Sequence, residues 1–165
     1  MERESAKTGV AMVRETPPVG GGYGTGRGKA DPAVVLLGLR LSDPGEIIKR
    51  VEEGLGFHTL ERFQKITRIP TDDLATVVAI KLRTLHRRKR EGRLDPEESD
   101  RLLRVSRVFA KTLDLFEGDA EAAKQWFYAP ARALGGKRPL DFARTDLGTR
   151  EVEALIDRLE QGVLT

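Results

Sequence analysis

The stretch Thr71-Asp72-Asp73-Leu74-Ala75-Thr76-Val77-Val78-Ala79-Ile80-Lys81-Leu82-Arg83-Thr84-Leu85-His86-Arg87-Arg88-Lys89-Arg90 decides how the chain folds. Two short helices cross tightly only when each offers apolar anchors to a core and a small residue lies where the axes meet. Counting from Thr71 as the cap, Leu74 and Val78 fall where the first helix must be apolar, and Ala75 falls at the close approach. Ile80 follows the turn and Leu85 anchors the second helix. The spacing predicts a helix-turn-helix with Leu82 and Leu85 directed inward and Lys81, Arg83, Thr84, Arg87, Arg88 and Arg90 facing outward. Two positions are atypical. The turn residue is Ala79, where glycine is usual because the backbone there often has positive φ. The turn therefore either carries roughly 1 kcal/mol of strain or takes another geometry. The late anchor of the second helix is Arg88, a charge where an apolar side chain is expected.

Charge is concentrated in the same place. The chain of 165 residues has a formal net charge of +3. Residues 1–80 are balanced, and residues 94–165 are net −3. Between them, Lys81, Arg83, Arg87, Arg88, Lys89, Arg90 and Arg93 face only Glu91, a net of +6 over 13 residues. A basic run alone is commonly a solvated face. Here it shares a helix with the anchor spacing, which makes nucleic-acid phosphate the partner to expect. The N-terminal turn of such a helix reads base edges, so Arg83, Thr84 and Arg87 are the base-reading candidates. Lys81, Arg88, Lys89, Arg90 and Arg93 are candidates for phosphate.

Outward from this segment, helix punctuation recurs. Asp43-Pro44-Gly45-Glu46 gives an N-cap, a first-position proline and an N3 acid, and Gly54 ends that helix, with Ile47, Ile48, Val51 and Leu55 at helical spacing. A helix follows over about 59–67, carrying Leu60, Phe63 and Ile66. Asp95-Pro96-Glu97-Glu98 opens a long helix through Phe116, with the stripe Leu102, Val105, Phe109, Leu113 and Phe116. Another runs from Gly118-Asp119 to Trp126-Phe127 before Pro130, and a last one covers about 149–161 before Gly162. The apolar run Ala33 to Leu37 is ambiguous between strand and helix, and a short helix or an arm packed on the core is expected. Residues 1–31, with Pro17-Pro18 and the glycines from Gly20 to Gly28, read as a tail. Those glycines do not make a phosphate loop, because Tyr23 stands where the first glycine is required and Ala30 replaces the Ser/Thr. The fold class is all-α.

Several chemistries are excluded or unsupported. The chain has no cysteine and only His58 and His86, which excludes disulfides, thiol catalysis and Cys- or His-rich metal sites. The paired carboxylates sit at helix starts or on polar faces, where capping accounts for them, so no catalytic residue, metal or cofactor is expected. No apolar run approaches a membrane span, and acids at the start without an apolar region behind them argue against a secretory signal. A cytoplasmic location is expected.

After Trp126-Phe127-Tyr128-Ala129-Pro130 come Ala133-Leu134-Gly135-Gly136, Pro139-Leu140, Leu147-Gly148, Val152, Leu155 and Arg158-Leu159-Glu160, closed by Gly162. This segment resembles the toxin-binding domain of the Xre/MbcA/ParS antitoxin family. The resemblance extends upstream through the helix-turn-helix to about residue 43, with Ala131 departing from a position that is often Asn. Gly135-Gly136 reads as a side-chain-free corner where two helices meet, with Trp126, Leu134, Leu140 and Leu155 in the core. The resemblance, which leaves out the tail over 1–31, implies an Xre-like helix-turn-helix over 32–93 and a helical toxin-binding domain over 94–165. It implies a RES-domain toxin related to ADP-ribosylating enzymes, covered at its NAD pocket by the antitoxin, and operator DNA bound by a homodimer. The covering residues would be Lys137, Arg138, Arg158, Gly162, Val163, Leu164 and Thr165. The dimer interface would come from the stripe of 102–116 or from 33–41. The alternative is a stand-alone repressor without a toxin.

Overall fold

A computed structural model of the protein describes residues 30–162. Among these residues it shows nine α-helices, one 3-10 turn and no strand: α1 Pro32–Leu36, α2 Pro44–Glu53, α3 Phe57–Thr67, α4 Thr71–Val77, α5 Leu82–Glu91, α6 Pro96–Leu115, α7 Ala120–Tyr128, the 3-10 turn Arg132–Leu134, α8 Pro139–Phe142 and α9 Asp146–Glu160. The expected all-α class is the observed one. The prolines and glycines of residues 17–28, read as tail, lie outside the described residues.

The long helix α6 is the axis of the molecule. Its capping box is complete: Asp95 accepts from the N3 backbone, while Glu98 reaches back to the Asp95 N–H at 2.8 Å. Its stripe places Leu102, Val105 and Phe109 out of solvent entirely and Leu113 nearly so. Helices α1, α2, α7 and α9 all pack on it, and one apolar cluster runs from Ala33 to Ile156. The stripe is thus consumed within the protomer, and so are Ala33, Val34 and Leu37 of α1. The stripe is therefore not free to supply a dimer interface, whereas in 33–41 Val35 is 38% exposed and Leu39 and Leu41 are only partly buried. The run Ala33–Leu37 is resolved as helix. Asp31, assigned to the tail, caps it by accepting from Ala33 N–H at 2.9 Å and also accepts from Arg107 at 3.1 Å.

Helices α4 and α5 form the helix-turn-helix. Leu74, Ala75, Val78, Ile80 and Leu85 are all buried, as their spacing requires. Ala79 adopts φ 53°, the left-handed geometry, as an alanine, so the strained alternative is the one realised. Replacing Ala79 with glycine is expected to raise unfolding stability by up to about 1 kcal/mol in a urea titration, because only the Cβ clash is removed. An unchanged or lower midpoint would contradict the strain. The link from α5 to α6 is stitched to the α2–α3 turn: Phe57 N–H donates to the Gly92 carbonyl at 2.9 Å and Leu94 N–H to that of Leu55 at 2.8 Å. The core therefore continues across the expected division at residue 93.

The structure departs from the sequence reading at several points. Leu82 is 43% exposed rather than inward, and Ile48 is 58% exposed. Thr71 is the first helical residue of α4, not its cap, and its hydroxyl accepts from Gln64 Nε2 at 2.9 Å. Helix α9 starts earlier, at Asp146, because Thr145 caps it by accepting from Gly148 N–H at 3.0 Å. Trp126 is only half-buried, tilted against Phe116, while its neighbour Phe127 is the enclosed anchor. The corner Gly135-Gly136 is glycine for backbone reasons: φ is 64° and 77°, and a Cβ at either position would meet nothing. The close approach lies at Gly148, where a Cβ would overlap the Phe142 carbonyl. The 3-10 turn and α8, of three and four residues, are too short to leave a period in the sequence.

Candidate functional site

Helix α5 begins without the usual capping chemistry. Lys81 stands at the N-cap position with no side-chain cap bond, and the first turn holds no acid. By contrast α2, α4, α6, α7 and α9 each carry an acid there, as the helix dipole favours. A positive helix end surrounded by cations is unfavourable alone and suits an incoming phosphate. Lys81, Arg83 and Arg90 are exposed, and among the described residues no carboxylate lies within ion-pair distance of them. Arg87 is exposed and meets Glu91 only at 3.6 Å, a pair worth little in solvent. Thr84 is half-buried and His86 exposed. The two flanks are tied down: Lys89 pairs with Glu61 of α3 at 3.0 Å, and Arg93 donates to the Glu53 carbonyl at 3.2 Å.

Arg88 does not join this surface. Its side chain is 11% exposed, and its guanidinium donates to Glu98 at 2.8 Å, to Glu91 at 2.9 Å and to Asp95. Burial alone would lower its pKa, but the hydrogen bonds it donates to the carboxylates of Glu91 and Glu98 raise it on balance. The charge at the late anchor position is therefore an anchor after all, made of ion pairs to the N-terminus of α6. It is withdrawn from the set of phosphate contacts expected from sequence.

In the segment that resembles a toxin-binding domain, the 3-10 turn and α8 both pack on α9. The turn is closed by Ala131 N–H donating to Lys137 O at 3.1 Å and Gly136 N–H to Ala131 O at 2.9 Å, which leaves Lys137 exposed. Arg138 is committed elsewhere. It grips Asp141 with two bonds of 2.9 and 2.8 Å, holding that carboxyl below its ordinary range, and stacks 5.5 Å from the Tyr128 ring centroid. The Tyr128 hydroxyl donates to Asp73 of α4 at 2.9 Å; burial first, then that carboxylate, push its pKa up. Asp73, read in the sequence as a dipole acid, is thus also a tie between α4 and α7. Arg158 is half-buried, and its Nε–H is buried with no partner among the described residues. Gly162 closes α9 with φ 72°, and Val163, Leu164 and Thr165 lie outside the described residues. Lys137 and Arg158 thus lie on neighbouring elements, while Arg138 turns toward α4.

Comparison with known proteins gives two family matches. Residues 46–107 match the antitoxin Xre-like helix-turn-helix domain, and residues 112–162 match the antitoxin Xre/MbcA/ParS C-terminal toxin-binding domain. The chain is 33% identical to antitoxin Xre of Yersinia enterocolitica over 130 residues, spanning 78% of this chain and 88% of that protein. It is 32% identical to antitoxin Xre of Photorhabdus laumondii over 138 residues, 83% of this chain and 93% of the relative. The chain belongs to the Xre antitoxin family. A more distant relative, 24% identical over 147 residues (82% of this chain, 91% of the relative), is the Prs ADP-ribosylating antitoxin of a Sphingobium species.

This Xre antitoxin therefore carries a DNA-binding helix-turn-helix and a toxin-binding segment, and its partner is the toxin of a toxin–antitoxin system. The two matched segments meet inside α6, between Arg107 and Thr112. Among the described residues, no helix is long and apolar enough to cross a membrane, and no group of three or more His, Asp or Glu is placed to hold a metal. Sequence reasoning missed the exposure of Leu82 and the Tyr128–Asp73 tie.

Proposed function

We propose that this antitoxin neutralises a RES-domain toxin, a relative of ADP-ribosylating enzymes, by covering the entrance to its NAD pocket, and that it represses its own promoter as a dimer. The antitoxin has no catalytic role of its own in this reading, needs no cofactor and works in the cytoplasm. Toxin contact is assigned to Lys137, Arg158 and the end Gly162-Val163-Leu164-Thr165, with Arg138 positioning the corner rather than meeting the toxin. DNA contact is assigned to Lys81, Arg83, Thr84, Arg87 and Arg90, and two protomers are needed because one reading helix covers only a half-site. The observation that carries the reading is the combination of a toxin-binding segment with a reading helix whose Lys81, Arg83 and Arg90 have no carboxylate partner among the described residues. The Sphingobium relative's description supports the choice of an ADP-ribosylating toxin.

The test is co-expression with a RES-type protein encoded in the neighbouring reading frame. The two are expected to copurify and growth to be restored. Deleting Val163 to Thr165 should release toxin activity while leaving affinity for the promoter duplex unchanged. Failure to copurify contradicts the toxin assignment, and full neutralisation by the truncated chain removes the terminus from the interface.

A further inference from the structure

Helix α5 opens with an apolar side chain that the fold does not use. Leu82 is its first residue and is 43% exposed, while Ile80 and Leu85 on either side are 6% and 4% exposed and fill the core. A leucine at the first helical position neither caps the helix nor complements its dipole, as Asp, Glu, Ser or Thr would. It stands between the exposed cations Lys81 and Arg83, and His86, one turn on along the same side, is exposed as well. An apolar partner protein would not select this cationic surround. A DNA major groove would, and it presents a single apolar group among its base edges, the C5 methyl of thymine.

We propose that Leu82 packs against a thymine methyl in each operator half-site and so sets part of the antitoxin's base preference. This rests on the reading of α5 as the DNA-contacting helix. Arg83 and Arg87 supply hydrogen bonds to base edges on the same helix, and Leu82 adds discrimination against cytosine and against any base lacking the methyl.

The experiment uses the full chain and a duplex from immediately upstream of its own reading frame, titrated by fluorescence anisotropy. Each thymine is replaced in turn by deoxyuridine, which removes only the methyl. The wild type should bind about four-fold more weakly when one particular thymine of a half-site, or its symmetry mate, is replaced, the factor that burying one methyl group supports. Leu82→Ala should bind the unmodified duplex more weakly by at least that factor and be indifferent to deoxyuridine at that thymine. Its salt dependence should match the wild type, since no phosphate contact is lost. Leu82→Met should retain the discrimination. Wild-type binding that is indifferent to every replacement overturns the proposal, as does Leu82→Ala remaining as sensitive as the wild type. Absence of wild-type binding at low salt overturns the reading of α5 itself, and the Leu82 proposal falls with it.

Discussion

Replacing Phe109 with alanine is expected to cost about 4 kcal/mol of unfolding stability, within the range for truncating a fully enclosed aromatic side chain. Phe109 lies on α6 with no solvent exposure. Its ring sits edge-on to Phe63 of α3 at 5.9 Å and to Phe127 of α7 at 5.6 Å, both with interplanar angles of 82°. Such edge-to-face pairs add to the area term, and all three rings lose contacts if the middle one goes. Phe63 belongs to the helix-turn-helix segment and Phe127 to the toxin-binding segment, so this aromatic row joins the two. One cooperative transition, shifted down by roughly 8–16 °C for a domain of this size, is the expected calorimetric result. Two separate transitions, with only one displaced, would show that the halves fold independently.

Replacing Arg88 with methionine is expected to cost about 3 kcal/mol. Methionine keeps an unbranched apolar stem but not the guanidinium, so the loss reports on the charge together with its hydrogen bonds. Glu98, with a side chain 10% exposed, would keep its carboxylate facing Asp95 and Glu91 with no cation between them. Removing one member of a buried ion pair is costly because the remaining charge stays desolvated, whatever the intact pair contributes. Adding Glu98→Gln should recover a substantial part of that loss. Glutamine removes the orphaned charge and still serves the Asp95 N–H as the N3 residue of the capping box. A chemical-denaturation series on the wild type, the single variant and the double variant checks this. The Arg88→Met chain, measured where it is folded, should bind promoter DNA with the salt slope of the wild type. A shallower slope would mean that Arg88 contacts phosphate and that the ion-pair cluster opens on DNA.

Much of this architecture was legible because its determinants are local. Asp43-Pro44 and Asp95-Pro96 carry a cap, a fixed φ and a first-turn acid within four residues, and both open helices where expected. The burial of Leu74, Ala75, Val78, Ile80 and Leu85 follows from helix-crossing geometry alone, which left the turn at Ala79 either strained or differently shaped. What the sequence hid depends on partners distant along the chain. Whether the late anchor of α5 can be an arginine is decided by carboxylates on α6. Whether Leu82 is buried depends on how far α5 is rotated by that same cluster. Trp126 and Phe127 are adjacent and both apolar, so only the placement of α6 and α3 determines which one is enclosed. The basic block announced the sign of the surface, but not that Arg88, Lys89 and Arg93 are engaged by acceptors from within the fold while Lys81, Arg83 and Arg90 meet no carboxylate among the described residues. Arg138 is likewise held within the fold, by Asp141 three residues on and by the ring of Tyr128 in α7.

The central proposal is that one chain contacts DNA through α5 and toxin through Lys137, Arg158 and the end of α9. It is tested most directly by measuring promoter affinity and toxin copurification together for the wild type and for Arg83→Ala combined with Arg87→Ala. Losing two bidentate contacts at about 1 kcal/mol or more each predicts binding at least about 30-fold weaker, with relaxed base preference, while the toxin is still retained in full. Promoter affinity equal to that of the wild type, or loss of the toxin together with the DNA, would contradict the account.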